Sequence, residues 1–263
     1  SIEAEVAHPS QGFTARLSKL DGKKYVSDTK NLEFSITNGE DAEAARARIQ
    51  RAAGGVLHVT DVASKERKRR PAPPFTTSTL QQEAARKRGF TTRKTTQAAQ
   101  KPYQGGAIPE QGTVGLITYM RTDSVNLSQD ALAEIRDVIA RDYGTEALPD
   151  KPNAYQTKSK NAQEAHEAVR PTSALRTPAQ VARFLTDDER KLYDLVWKRS
   201  VASQMIPATL NTVTVELAAG SEHSFRASGT TVVVSGFLAV YEEGKDSKSA
   251  DDDDEGRKLP LMK

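Results

Sequence analysis

A helical domain inserted into a β-rich one is the α+β architecture that the sequence predicts. Three observations predict it. Near both ends of the chain apolar residues alternate with polar ones, the period of half-buried strands. Between 76 and 206 the apolar spacing becomes the three-and-four pattern of helices. Between the two regimes lies KRRPAPPF, 68–75, whose three prolines break any regular element. The β-rich domain is therefore discontinuous, built from 1–75 and 207–263 and expected to be barrel-like. It carries the helical domain, 76–206, on two crossing strands, an arrangement that can hinge.

The elements follow in order. Phe13, Ala15 and Leu17 alternate in a strand over 12–17, and Asp21-Gly22 signals a hairpin turn. A strand is predicted at 32–37, a helix rich in Ala and Arg at 40–54, and another strand at 56–67. In the helical domain, 77–89 has capping pairs in Ser78–Gln81 and Thr79–Gln82 and a C-terminal Gly89. After Gly89-Phe90 a second helix covers 91–103, then a Gly- and Pro-bearing loop, 103–115, and an apolar strand at GLITY, 115–119. Two short helices followed by a strand resemble a helix-turn-helix with a wing. Ser128 caps a helix over 129–143 with Leu132, Ile135, Val138 and Ile139 on one face. The segment 147–161 is a polar loop, and a short helix over 161–172 is stopped by Pro171. Thr177-Pro178 starts a short helix, and the Thr186–Glu189 capping box starts one to about Met205 that buries Leu192, Leu195, Val196 and Trp197. Strands return around 213–217 and 224–228 and over 230–241, and 242–263 is read as an unpacked charged tail.

Composition narrows the chemistry. There is no cysteine, so thiolate zinc sites and Cys nucleophiles are excluded, and no credible metal cluster is legible. No apolar run is long enough to span a membrane, and nothing at the N-terminus reads as a signal peptide. A cytoplasmic setting is expected. Net charge is only +3, but eleven Lys and Arg between Lys65 and Lys101 face two Glu, a local excess of 11 − 2 = +9. Such a basic stripe fits a binder of phosphate backbones, with Arg86, Arg93 and Lys94 as candidate contacts.

The chemically loaded stretch is GLITYMRTDSVNLS, 115–128, where Tyr119, Arg121 and Asp123 follow at alternate positions. A Tyr nucleophile needs charged neighbours that ease loss of its proton. A second constellation, His166 and Arg170, lies at i and i+4 of the helix predicted over 161–172. HEAVR is not the H-E-x-x-H zinc helix, because Arg170 replaces the second His. Phenol, guanidinium and imidazole together suit attack on a phosphodiester, with Arg stabilising the extra negative charge. Tyrosine recombinases also combine Arg, His and Tyr, but the residue order and the H-x-x-x-R spacing here differ from theirs.

GLITYMRTDS, with PPFTTSTLQQEA (73–84) before it and NAQEAHEAVRPT (161–172) after it, closely resembles bacterial topoisomerase I, a type IA DNA topoisomerase. The resemblance implies that Tyr119 attacks one DNA strand to form a 5′-phosphotyrosine link. It implies that Arg121 holds the scissile phosphate and that His166 assists beside it. Asp123, Arg170, Thr118, Gln81 and Gln82 fall in the same motifs as supporting or DNA-binding residues. Such an enzyme relaxes negatively supercoiled DNA without ATP in the bacterial nucleoid, with single-stranded or supercoiled DNA as partner. It uses Mg²⁺ held by a TOPRIM domain, and a further helical domain completes its groove. Neither of those domains is legible in these 263 residues, so the chain reads as a gate fragment, inactive alone and without its own metal site. The alternative is a helix-turn-helix DNA-binding module without chemistry.

Overall fold

The computed structural model describes residues 2–25, 36, 38–108, 112–156, 166–244 and 259–260. The chain divides into two compact units. Unit 1 is Ser1–Arg67, Leu210–Val233 and Lys248–Lys263, and unit 2 is Lys68–Thr209 and Val234–Ser247.

Unit 1 is built on a sheet of β1 (Glu3–Val6), β2 (Phe13–Leu20), β3 (Lys23–Lys24), β4 (His58–Arg69), β7 (Ala208–Ala219) and β8 (His223–Val234). The order is β1-β2-β8-β7-β4, with β3 also paired to β2. The β1–β2, β2–β3 and β2–β8 pairs are antiparallel. Asp21 and Gly22 take φ of 50° and 73°, the two positive values that a tight type I′ hairpin between β2 and β3 requires. Phe13, Ala15 and Leu17 of β2 alternate inward onto Val215, Leu217 and Phe225. Helix α1 (Gly39–Ala53) closes this layer with Ile49, capped by the Asn38 side chain at one end and by left-handed Gly54 at the other.

The barrel expected here is instead an open sheet among the described residues, with β1 and β4 at the ends of the strand order. Strand β4, HVTDVASKERKR, is exposed at all but its last position, because it offers no apolar row to pack. The strand predicted at 32–37 lies outside the described residues except for Ile36.

Unit 2 gathers α2 (Thr77–Arg88), α3 (Thr92–Gln104), the hairpin β5 (Gly106–Ile108) and β6 (Gly112–Val114), α4 (Gln129–Tyr143), α5 (Pro178–Val181) and α6 (Asp187–Ser203). Helix α6 is the hub and contacts α2, α3, α4 and α5. Leu192, Tyr193, Leu195, Val196, Trp197 and Val201 are all buried on it, so it is apolar on several sides, as a central helix must be. Each such side chain contributes about 1.5–3 kcal/mol of burial. The Trp197 indole N–H donates to the Ala174 carbonyl (2.8 Å) and the Tyr193 hydroxyl to that of Arg176 (2.6 Å), which satisfies both polar tips.

Six expectations need correction. The 103–115 loop contains the β5–β6 hairpin, and GLITY is not a strand but a single bridge, Ile117 to Pro171. Residues 166–172 are not helical; they run extended with bridges at Val169 and Pro171, while 161–165 lie outside the described residues. The cap of α2 is a Thr76–Thr79 box, one register earlier than either pair read from the sequence. The last strand stops at Val234, and 236–239 form a 3₁₀ turn around Gly236 at φ 49°. The described part of the presumed tail is also packed: the Gly244 N–H donates to Glu83, and Leu259 packs against the core of unit 1.

Candidate active site

Three stretches far apart in the chain meet in unit 2. The Thr77 N–H donates to the Thr122 carbonyl (2.8 Å), and the Thr77 hydroxyl to that of Met120 (2.6 Å). The Val169 N–H donates to Phe75 O (2.8 Å), and the Ala168 N–H to Asn126 O (2.9 Å). Residues 116–118 pair antiparallel with 170–172, through Thr172 N–H to Leu116 O and Thr118 N–H to Arg170 O, both 2.9 Å. The Pro102 carbonyl, in the last turn of α3, accepts from Leu116 N–H (2.6 Å). Gly115 is required at this crossing, since a Cβ there would stand 2.7 Å from the Tyr103 carbonyl oxygen. The backbone leading to Tyr119 is thus fixed from three sides.

Along this fixed backbone the burial alternates. Met120, Thr122 and Ser124 are buried, while Tyr119, Arg121 and Asp123 are exposed, Tyr119 by 44%. The inward hydroxyls are spent on the fold. Thr122 accepts from Ser124 N–H (3.0 Å) and Ser124 from Asn126 N–H (3.1 Å), two side-chain turns in series. The outward three share one side of an extended segment, as period-2 geometry dictates. Among the described residues their side chains, and that of His166, make no hydrogen bond or ion pair. His166 stands two residues from Ala168, at most about 7 Å of chain, and Ala168 is bonded to both Thr118 and Asn126. It therefore lies within reach of the Tyr119–Asn126 loop.

Other expected site residues are occupied. The Thr118 hydroxyl donates to Ala168 O (2.6 Å) and accepts from Arg170 N–H (3.0 Å). Arg170 donates twice to Glu167, at 3.1 and 2.6 Å, and once to the Pro171 carbonyl. Glu167 in turn accepts from the Ser128 N–H (2.8 Å), at the start of α4. Burial works against the Glu167 charge, but the Ser128 hydrogen bonds and the Arg170 guanidinium outweigh it and hold the carboxyl below the usual range. The sequence reading missed Glu167, although its i,i+3 spacing to Arg170 was visible.

The α2 and α3 part of the basic stripe is largely neutralised within unit 2. Arg88 pairs with Asp194 (2.9 Å), Lys94 with Asp188 (3.0 Å) and Lys101 with Glu189 (3.8 Å), all on or beside α6. Lys87 lies over the Tyr241 ring and donates to Glu242 O, and burial lowers its pKa. Arg86 is not free either. Arg93 is exposed with no partner among the described residues, and Gln81 and Gln82 are half-buried and exposed on α2. A second missed residue is Tyr103, at the end of α3. Its ring lies 5.2 Å from that of Tyr119, tilted by 57°, and both rings are over a third exposed.

Among the described residues no group of three or more His, Cys, Asp or Glu could hold a metal ion. The Mg²⁺ implied by the resemblance does not fit these side chains. Nor is any helix among them long and apolar enough to cross a membrane.

A family model described as DNA topoisomerase matches residues 2–263. The chain is 73% identical to DNA topoisomerase 1 of Xylella fastidiosa (strain Temecula1) over 263 residues, all of this chain and 32% of that protein. It is 44% identical to DNA topoisomerase 1 of Rickettsia felis over 252 residues, 95% of this chain and 31% of the relative. The full-length topoisomerase I structure from Thermotoga maritima matches with a TM-score of 0.66 at 31% identity, covering 88% of this chain and 36% of that one. The chain thus spans about a third of the length of the curated relatives it matches.

Proposed function

The chain belongs to the DNA topoisomerase family, and from that membership we propose that it is the strand-gate part of a type IA enzyme, the part that carries the nucleophile. The observation that carries this reading is the alternation at 119–124, which turns a phenol, a guanidinium and a carboxylate outward, with no hydrogen bond or ion pair among the described residues, from a backbone held by three other segments. The Tyr119 oxygen attacks a phosphorus of one DNA strand. The O–P bond to Tyr119 forms as the bond to the 3′ oxygen breaks; the phenol loses its proton and the leaving oxygen gains one. Arg121 grips the non-bridging oxygens as negative charge builds on them. His166, when protonated, adds positive charge or supplies the proton to the leaving oxygen. Resealing is the reverse attack, and one phosphodiester exchanged for another needs no ATP.

The β-rich part, 1–75 with 207–263, serves as the hinge for the Tyr-bearing part, 76–206. The parent relaxes negatively supercoiled DNA in the bacterial nucleoid. It draws Mg²⁺ and its ligands from a TOPRIM domain outside these residues, so no step is assigned to the metal here. The 263 residues alone do not relax DNA. The helix-turn-helix alternative loses ground because most α2 and α3 cations are engaged within unit 2. The test is to trap the covalent complex of the full-length protein with a 3′-labelled single strand, digest it and map the nucleotide. Attachment to the peptide bearing Tyr119, abolished in Tyr119→Phe, supports the reading; attachment elsewhere overturns it.

A further inference from the structure

Several cations without a partner among the described residues gather on one face of the unit 1 sheet. Two adjoining open troughs, about 820 and 580 Å³, run across β2, β4, β7 and β8 on the face opposite α1. Six Lys and Arg line them against two carboxylates, Asp61 and Glu216. Glu216 is already answered by Arg226 at 2.6 Å. Lys19, Lys24, Lys65 and Arg67 have no partner among the described residues. Most of the remaining lining is Ser and Thr, bonded in pairs, Ser18 to Ser224 (2.9 Å), Thr212 to Thr230 (2.9 Å) and Thr214 to Ser228 (3.4 Å), and hydroxyls of this kind can turn to donate to an anion without adding charge.

The presence of Lys19 on this face is built into the strand. In FTARLSKL strict alternation turns Phe13, Ala15, Leu17 and then Lys19 towards the core. A bulge intervenes: Leu17 pairs with Phe225 and Lys19 with Ser224, two residues of β2 against one of β8. The extra residue rotates Lys19 onto the trough side, the re-aiming that bulges perform. On β4 the odd positions, Asp61, Ala63, Lys65 and Arg67, share the trough, so its cations stand on both flanks of the hydroxyl floor. From Ser224 to Thr230 the floor is about 20 Å long at 3.3 Å per residue, the axial rise of about six base pairs of duplex DNA at about 3.4 Å each.

We propose that this face is a second nucleic-acid site, which grips the phosphate backbone without reading bases. Hydroxyls and cations suit phosphate oxygens, and Tyr25 is the single aromatic side chain in the lining, too few for a stacking platform. The proposal rests on the reading that the parent acts on DNA. The experiment measures affinity of the full-length protein for a labelled single strand and for a duplex across a salt series. Lys65→Ala with Arg67→Ala is compared with the charge-keeping pair Lys65→Arg with Arg67→Lys. Loss of two phosphate contacts lowers the slope of log affinity against log salt by about 1.4 on the single strand or about 1.8 on the duplex. The charge-keeping pair retains the slope. A fall in either arm supports the proposal and identifies the form of DNA bound; an unchanged slope and affinity in both arms overturn it. Because all these positions are exposed, an unchanged melting temperature accompanies the effect, and a neutral pair that unfolds is replaced by Lys19→Gln with Lys24→Gln on the opposite flank. Covalent attachment to Tyr119 is scored separately in the same preparations. Its absence from wild type would count against the catalytic reading, while the salt slopes would still decide this one.

Discussion

Two regions of unit 2 carry dense charge and use it in opposite ways. On α2 and α3 the cations outnumber the acids, yet Arg88, Lys94 and Lys101 are paired to acids on or beside α6, and Lys87 to the chain beyond Tyr241. On the 119–123 segment a single Arg and a single Asp stand beside Tyr119 with no ion pair among the described residues. The difference teaches that charge counted along a sequence is a poor footprint. What marks a site is charge that the fold leaves unspent on a backbone it holds rigidly.

The comparison is most exposed at Arg121. Arg121→Ala is expected to slow single-turnover strand cleavage by the full-length enzyme about a hundredfold or more, with no change in melting temperature, because the fold does not use this side chain. Arg170→Ala breaks the comparison if Arg170 behaves in the same way. It is expected instead to cost about 2 kcal/mol of stability in urea unfolding, since it strips Glu167 of charge-assisted hydrogen bonds. The pH dependence follows from the sign of the Glu167 shift. Its folded pKa lies below the unfolded value of about 4.3, so its contribution is present above that value and is lost as pH falls through the folded one. The stability difference between wild type and Glu167→Gln should therefore be full at neutral pH and shrink below about pH 4.

Smaller effects sharpen the contrast. Tyr103→Ala removes a ring pair worth about 0.5–1.5 kcal/mol. It should slow cleavage about threefold to tenfold without weakening non-covalent DNA binding, and Tyr103→Phe should restore the rate. Lys94→Ala should change stability by no more than about 0.5 kcal/mol, the usual size of an exposed pair. Differential scanning of both variants checks this.

What could be read from the sequence was local. The Asp21-Gly22 turn, the Ser128 cap, the Thr186–Glu189 box and the apolar stripe of α6 depend on neighbours within a few residues, and all four stand in the structure. The 166–172 stretch was misread because its Glu, Ala and Arg favour a helix in isolation. Bonds to Phe75, Leu116, Thr118 and Asn126, some forty to ninety-five residues away, hold it extended instead. Gly236 ends the last strand for a similarly distant reason, since a Cβ there would stand 2.5 Å from the Pro207 carbonyl oxygen. Of the candidate site, Tyr119, Arg121 and His166 were legible as residue types in a resemblance. Their lack of hydrogen bonds and ion pairs among the described residues, the spending of Arg170 on Glu167 and the contact of Tyr103 with Tyr119 arise only from the meeting of segments that sequence spacing does not encode.

The most direct test puts the two arginines side by side. Covalent adduct formation by the full-length protein is followed in single turnover for Arg121→Ala and Arg170→Ala, each normalised to its folded fraction. The account predicts a large loss of rate for Arg121→Ala with a normal melting temperature, and a near wild-type rate per folded molecule for Arg170→Ala with a lowered one. Equal losses of rate in the two variants, or a normal rate in Arg121→Ala, would contradict it.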